Sequence, residues 1–422
     1  MVYTPKLAAG GAYALARWRA WRLRDRTALE IYQAGKLARL MNDAAGTLPF
    51  YRAYRGRSFA DWPVIDKPIL LQNFSAMNRA GLSAEQVRAA LAEGKDRLAG
   101  YVIGQSTGTS GNRGYFVIED RERFVWLGTI LAKAIPDALW RHHRVALALP
   151  GLSSLYRSAS LGSRIALAFF DLAQGPESWG GDLVAFAPDT IVAPPKVLRW
   201  LAERNMLHTQ NTFSGAEVLD PLDRAMIEAA IGCPMREIYM ATEGLLGVSC
   251  AHGTLHLAED VVHFEWSRPD PASTLVSPIV TDFTRRAQGM IRYRMNDLLE
   301  LDPEPCRCGS SYQAVKRIEG RQDDAFLLRR ADGTERMVTP DVIRNAVVDS
   351  HPAIRDFRVV QTGHDSIMVS LARELPVEID EITVKYLSMR LGTLGLTPKI
   401  SITRGLDLSF DSKLRRIRRD FR

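Results

Sequence analysis

The stretch Gly104-Gln105-Ser106-Thr107-Gly108-Thr109-Ser110-Gly111-Asn112-Arg113-Gly114 decides how the rest of the chain is read. Apolar runs flank it, Tyr101-Val102-Ile103 before and Tyr115-Phe116-Val117-Ile118 after, so the pattern is strand, loop, strand. Glycines let successive backbone N–H groups turn toward one anion, and the hydroxyls of Ser106, Thr107, Thr109 and Ser110 add uncharged donors. No Gly-Lys-Ser/Thr follows, which excludes the Walker loop. Taken alone, the stretch reads equally well as a phosphate cradle or as a surface turn.

Its surroundings are α/β. Before it, residues 7–43 carry Leu, Ala, Trp and Ile at helical spacing with arginines between, giving one or two amphipathic helices whose tryptophans are expected to pack. Asp66-Lys67-Pro68 caps a helix to Met77, and Ser83-Ala84-Glu85-Gln86 is a capping box opening a helix to Leu98. After the loop, strands near 144–149, 164–170, 190–193 and 209–213 alternate with helices at 195–206 and 220–231. A strand then runs into Tyr239-Met240-Ala241-Thr242-Glu243-Gly244, another covers 278–282, and a third, 290–297, ends on Asp297. Beyond Gly320-Arg321-Gln322-Asp323-Asp324 the texture becomes that of a compact α+β unit: a helix after Thr339-Pro340, strands at 355–361 and 366–371, a helix at 376–391 and a strand at 398–404.

A chain of 422 residues, 46% hydrophobic and 24% charged, is an ordinary globular composition. It lacks the run of about 18 apolar residues that a membrane span needs, and its arginine-rich start lacks a signal-peptide core, so the expected compartment is the cytoplasm. Four cysteines argue against a disulfide framework. The net charge of +7 suits small anionic substrates as well as a polyanion or an anionic membrane surface. The basic run from Lys413 to Arg419 reads as a solvated helix face.

In this order the motifs resemble the adenylate-forming superfamily of acyl-CoA synthetases, luciferases and adenylation domains. The resemblance is greatest to its phenylacetate-CoA ligase branch and to the enzymes related to the coenzyme F-390 synthetases. It implies an α/β fold: a large N-terminal catalytic domain with mixed sheets and flanking helices, residues 1–320, and a small α+β domain, residues 321–422, on a hinge at Asp323. Ser106-Thr107-Gly108-Thr109-Ser110-Gly111 is similar to the loop that holds the β- and γ-phosphates of ATP, with Arg113 near the usual lysine position. Ser214-Gly215-Ala216-Glu217 resembles the segment lining adenine, and Tyr239 the aromatic stacked on it. By the same resemblance Thr242 contacts the α-phosphate, Glu243 binds Mg2+, Asp297 holds the ribose hydroxyls and Arg321 reaches ribose and phosphates. Lys413 resembles the C-terminal lysine that stabilises charge on the carboxylate and α-phosphate. Asn112, Met240, Asn296 and Ser412 depart from the family pattern.

Two cysteines one residue apart, Cys306 and Cys308, followed by Gly309, form a tight knuckle. Cys250 with either His252 or His256 would complete a closed tetrahedral zinc site; the alternative is four reduced thiols beside unrelated histidines. A similar cluster in part of the phenylacetate-ligase branch points to His256.

The resemblance implies activation of a carboxylic acid by Mg-ATP to an acyl adenylate and pyrophosphate, then acyl transfer to CoA or a carrier-protein thiol. Amide formation with an amine, adenylylation of another oxygen and a non-catalytic nucleotide-binding relative are the alternatives. No nucleic-acid partner is expected. The segment 145–170, with Leu152, Leu155, Tyr156, Phe169 and Phe170, is the expected acyl pocket, or else ordinary core.

Overall fold

In the computed structural model the described residues are 5–105, 114–149, 164–271, 273–410 and 412–421. The residues expected to form the phosphate loop, Ser106, Thr107, Gly108, Thr109, Ser110, Gly111 and Arg113, lie outside them, as do Leu152, Leu155 and Tyr156 of the expected acyl pocket.

Helices α1 (Pro5–Arg22) and α2 (Arg26–Thr47) open the chain, Asp25 capping α2 through the Ala28 N–H. The tryptophans of α1 do not pack as expected. Ala9, Tyr13 and Ala16 recur at helical spacing and are buried, and the guanidinium of Arg19, one turn on, pairs with buried Asp260 at 3.8 Å. Trp18 and Trp21 fall off that face and stay 51% and 62% exposed.

Helix α3 (Lys67–Gln72) starts at the Asp66 cap, and α4 (Ala84–Ala92) at the Ser83–Gln86 capping box. Helix α4 stops short of Leu98 because Gly94 adopts φ +76°, and the chain turns into β1 (Arg97–Leu98). Strands β2 (Tyr101–Gln105) and β3 (Tyr115–Ile118) join β1 in an antiparallel sheet, with Gln105 opposite Tyr115. The glycine-rich stretch therefore connects two paired strands, as its flanks predict.

Helix α5 (Asp120–Ala134) leads into the main sheet. Its parallel half comprises β4 (His143–Leu149), β5 (Ile165–Asp171), β6 (Thr190–Ala193), β7 (Asn211–Gly215) and β8 (Arg236–Ala241). Helices α6 (Pro176–Phe186), α7 (Pro195–Glu203) and α8 (Pro221–Ile231) connect these strands. The antiparallel continuation is β9 (Gly244–Ser249) and β10 (Leu255–Leu257). Next, β11 (Val262–Ser267), β12 (Ser277–Asp282) and the short β13 (Tyr293–Arg294) form a separate sheet. The chain then returns to the main sheet as the hairpin β14 (Asp297–Leu301) and β15 (Ala314–Arg321). Among the described residues, nine strands lie in the order β14-β15-β10-β9-β8-β7-β6-β4-β5. Asp297 therefore opens a strand instead of ending one: Met295 still bonds to Pro278, Asn296 turns, and Asp297 faces Arg321 across the new ladder. Phe170 packs on Trp179 and Phe186 in the core under this sheet, so it does not line an acyl pocket, while Phe169 is only partly buried.

A second core is built from Phe326, Ile343, Phe357, Val359, Leu387 and their neighbours. It belongs to the hairpin β16 (Phe326–Arg329) and β17 (Glu335–Val338), helix α9 (Pro340–Val348), strands β18 (Phe357–Gly363) and β19 (Ser366–Leu371), helix α10 (Glu378–Gly392), and strands β20 (Lys399–Arg404) and β21 (Ile417–Arg419). The C-terminal basic run is not a helix face. Residues 417–419 pair with β18, Arg415 meets Asp324, and buried Arg416 bridges Asp223 at 2.7 Å and Asp356 at 2.8 Å. Because Asp223 belongs to α8, this arginine ties the second core to the main sheet.

Candidate active site

The carboxyl ends of β7 and β8 meet the β14–β15 hairpin and the C-terminal segment. In an open parallel sheet, that edge is where the chain turns away and leaves a crevice.

At the end of β7, Ser214 is buried and its Oγ has no hydrogen-bond partner among the described residues. Ala216 sits at φ +68°, a strained conformation for a residue with a Cβ. Such features are typical of a segment shaped to meet a ligand. The Glu217 side chain is not available for that purpose, because it is buried and paired with Lys196 at 3.2 Å.

At the end of β8, the Tyr239 hydroxyl donates to Asp297 Oδ2 at 2.7 Å, and Arg321 Nε lies 3.5 Å from Asp297 Oδ1. Burial and the adjoining Asp297 carboxylate push the Tyr239 hydroxyl well above the usual tyrosine range. Asp297 is thus held on both oxygens. Arg285 donates to the Thr242 carbonyl at 2.6 Å and fixes the turn that carries Glu243. Burial raises the Glu243 carboxyl above the ordinary glutamate range, and Asp297 adds to the effect while Arg285 and Arg321 oppose it. A hard cation would reverse that penalty, so the chemistry of this donor would suit Mg2+. Asp323 accepts from the Asn296 amide at 2.5 Å, linking the expected hinge to the turn before Asp297.

Lys413 is half-buried in the same place. Burial and the nearby Arg321 lower its ammonium pKa, and Glu217 and Asp297 partly offset this. The structure thus gathers Glu217, Tyr239, Thr242, Glu243, Asp297, Arg321 and Lys413, which span almost 200 positions of sequence. Four further residues contribute that the sequence motifs do not reveal. Arg285 backs Thr242, Tyr293 shares a hydrogen bond with Glu243, Lys67 lies in the field of Glu243 and Asp323, and Lys196 holds Glu217. Lys196 had a sequence signal: it stands in the first turn of a helix after Pro194-Pro195, where the helix dipole disfavours a cation.

The cysteine cluster lies on the same hairpin, at its opposite end. Ligand atoms of Cys250, His256, Cys306 and Cys308 are all within 4.8 Å of one another. Cys250 Sγ is 3.9 Å from Cys306 Sγ, and His256 Nε2 is 3.3 Å from Cys308 Sγ. Tetrahedral zinc would require edges of about 3.8 Å between sulfurs and about 3.5 Å between sulfur and nitrogen. His256 Nδ1 lies 3.0 Å from the Tyr312 carbonyl, an arrangement that puts the proton there and leaves Nε2 for a metal. His252, exposed in the β9–β10 turn, is not part of the cluster.

No family model matches the chain. It is 30% identical over 186 residues to Protein CapK of Staphylococcus aureus, covering 43% of this chain and 40% of that protein. It is 24% identical over 215 residues to the phenylacetate-coenzyme A ligase of Thermus thermophilus, covering 46% of each. These matches span less than half of each curated relative. In three dimensions it aligns with 2-hydroxyisobutyryl-CoA ligase in its postadenylation state, bound to 2-HIB-AMP, at a TM-score of 0.67 and 20% identity over 93% of this chain and 89% of that one. The chain shares the fold of an acyl-CoA ligase and, over less than half of its length, is similar in sequence to phenylacetate-coenzyme A ligases. The same ligase in its thioesterification state, bound to 2-HIB-AMP and CoA, aligns at a TM-score of 0.50. Among the described residues no helix is long and apolar enough to cross a membrane.

Proposed function

We propose that this adenylate-forming protein activates a carboxylic acid with Mg-ATP, releasing pyrophosphate, and then transfers the acyl group to a thiol such as that of CoA. The observation that carries the reading is the convergence of Glu243, Asp297, Arg321 and Lys413 at one sheet edge. Curated relatives named phenylacetate-coenzyme A ligase and a structural neighbour holding an acyl adenylate support it.

In the first half-reaction a substrate carboxylate oxygen attacks the α-phosphorus in line and pyrophosphate leaves. The chain's contribution is positioning and charge. Asp297 accepts the ribose hydroxyls with Tyr239 and Arg321 fixing its carboxylate, and Thr242 meets the α-phosphate from a turn held by Arg285. The ammonium of Lys413 offsets charge on the α-phosphate oxygens. Ser106 to Gly111 and Arg113 hold the leaving phosphates. Glu243 would bind Mg2+, which supplies neutralisation of phosphate charge. The catalytic domain covers 1–320 and the small domain 321–422, rotating at Asp323 for the second half-reaction.

ATP–pyrophosphate exchange over a panel of carboxylic acids tests this, with hydroxylamine trapping of the adenylate and Lys413→Ala as control. Exchange with at least one acid that Lys413→Ala removes is the expected result. Absence of exchange with every acid would sink the proposal.

A further inference from the structure

Lys196 is 2% exposed, an unusual place for an ammonium group. Its Nζ meets Glu217 Oε1 at 3.2 Å and donates to the carbonyls of Ser409 at 3.0 Å, Phe410 at 3.4 Å and Ser412. All three carbonyls belong to the segment that ends in Lys413. Phe410 packs against the core beneath the main sheet, with its ring 5.9 Å from the same ammonium. On the far side of Lys413, the Leu414 N–H lies against the Glu217 carboxylate. One buried ion pair, fixed to the ends of β6 and β7, therefore grips the chain immediately before and after Lys413.

We infer that Lys196 and Glu217 form a latch that positions Lys413 for adenylation and must open before the second half-reaction. The inference rests on the function proposed above. Lys196 is a positioning residue, since its ammonium is spent on Glu217 and on backbone carbonyls. An ammonium offers three donors, and the acceptors around it use them, so a neutral side chain there would strand Glu217 and several carbonyls at once. The neighbouring Arg415 and Arg416 bind Asp324, Asp223 and Asp356 and hold the rest of the C-terminal strand independently, which confines the effect of the latch to the segment around Lys413.

The test compares the full-length protein with Lys196→Met and Glu217→Gln, after circular dichroism has established that each variant folds. Limited trypsinolysis read by mass spectrometry reports cleavage after Lys413 without any substrate. Release of the opened segment predicts that this cleavage is about tenfold faster or more in Lys196→Met than in the wild type. Unchanged cleavage in both folded variants would overturn the latch even if the enzymatic reading stands. The second readout separates the half-reactions, using whichever acid supports exchange. Lys196→Met should lose about 100-fold in pyrophosphate exchange while converting the isolated acyl adenylate with CoA within about threefold of wild type. A merely structural lysine would depress both half-reactions together, and that outcome too would overturn the proposal. A protein without exchange activity would leave the protease result to decide the latch and would count against the enzymatic reading alone.

Discussion

The Tyr239 hydroxyl donates to Asp297 Oδ2 at 2.7 Å, so two residues read from sequence as separate nucleotide contacts are one unit. The tyrosine occupies one carboxylate oxygen while Arg321 sits by the other. This coupling gives Tyr239→Phe and Asp297→Asn distinct signatures. Tyr239→Phe keeps the ring but frees the carboxylate, and should raise the KM for ATP only about two- to fivefold, in line with the net worth of one hydrogen bond. Asp297→Asn replaces an acceptor-only group by an amide that must turn one donor toward Tyr239 or toward the ribose, and should raise it about 30-fold or more. Equal effects in both variants would contradict a ribose role for Asp297.

Zinc content checks the cysteine cluster. Metal analysis of the purified protein should find one zinc per chain, lost in Cys306→Ala and Cys308→Ala and retained in His252→Ala. Because the β14–β15 hairpin carries Cys306 and Cys308 between its strands and Asp297 and Arg321 at its open end, removing a metal held there would loosen both at once. Chelator-treated protein should therefore melt earlier and show a raised KM for ATP with a smaller change in kcat. Loss of zinc in His252→Ala would contradict the geometry, in which His256 alone of the two has Nε2 beside a sulfur.

Much of this site could be read from the chain because each motif sits at a strand end and the strand ends share one edge. Tyr239-Met240-Ala241-Thr242-Glu243 announces its turn locally, and so does Ser214-Gly215-Ala216-Glu217. What could not be read depends on partners far away in sequence. The basic run at 413–419 has the composition of a solvated helix, yet Arg416 is buried because Asp223, nearly 200 residues earlier, waits for it at zero exposure. Trp18 and Trp21 look like packing residues until Tyr13 and Ala16 take the face that meets the protein. Asp297 reads as the end of a strand because Met290, Ile291, Tyr293 and Met295 look continuous with it. The interruption comes from a change of sheet, which leaves no local mark.

Lys413 carries a pH signature. Burial beside Arg321 lowers its pKa, so the ammonium is lost at a lower pH than that of a free lysine, about 10.4. If the protonated form acts on the α-phosphate, the alkaline limb of pyrophosphate exchange falls below that value. Lys413→Arg, charged throughout, should retain reduced exchange without that limb. A limb that persists unchanged in Lys413→Arg would assign it to another group.

Gly244, immediately after Glu243, gives a substitution test that needs no change in a chemical group. A Cβ at this position would stand 2.5 Å from Asp282 Oδ2, too close to be tolerated without movement. Asp282 cannot yield easily, since it is buried and its Oδ1 accepts from the Thr284 N–H at 2.6 Å and the Thr284 hydroxyl at 2.7 Å. The next residue, Arg285, holds the Thr242 carbonyl, so displacement of Asp282 is passed to the turn presenting Thr242 and Glu243. Gly244→Ala should cost about 1–3 kcal/mol in denaturant unfolding, the usual range for overpacking a well-filled site. It should also lower pyrophosphate exchange by more than that stability loss explains, at temperatures where the variant remains fully folded. Gly181→Ala is the control: it lies within α6 with nothing in 4 Å of the added carbon, and should be neutral or slightly stabilising. A Gly244→Ala protein with wild-type exchange would show that the Thr242–Glu243 turn does not depend on its packing against Asp282.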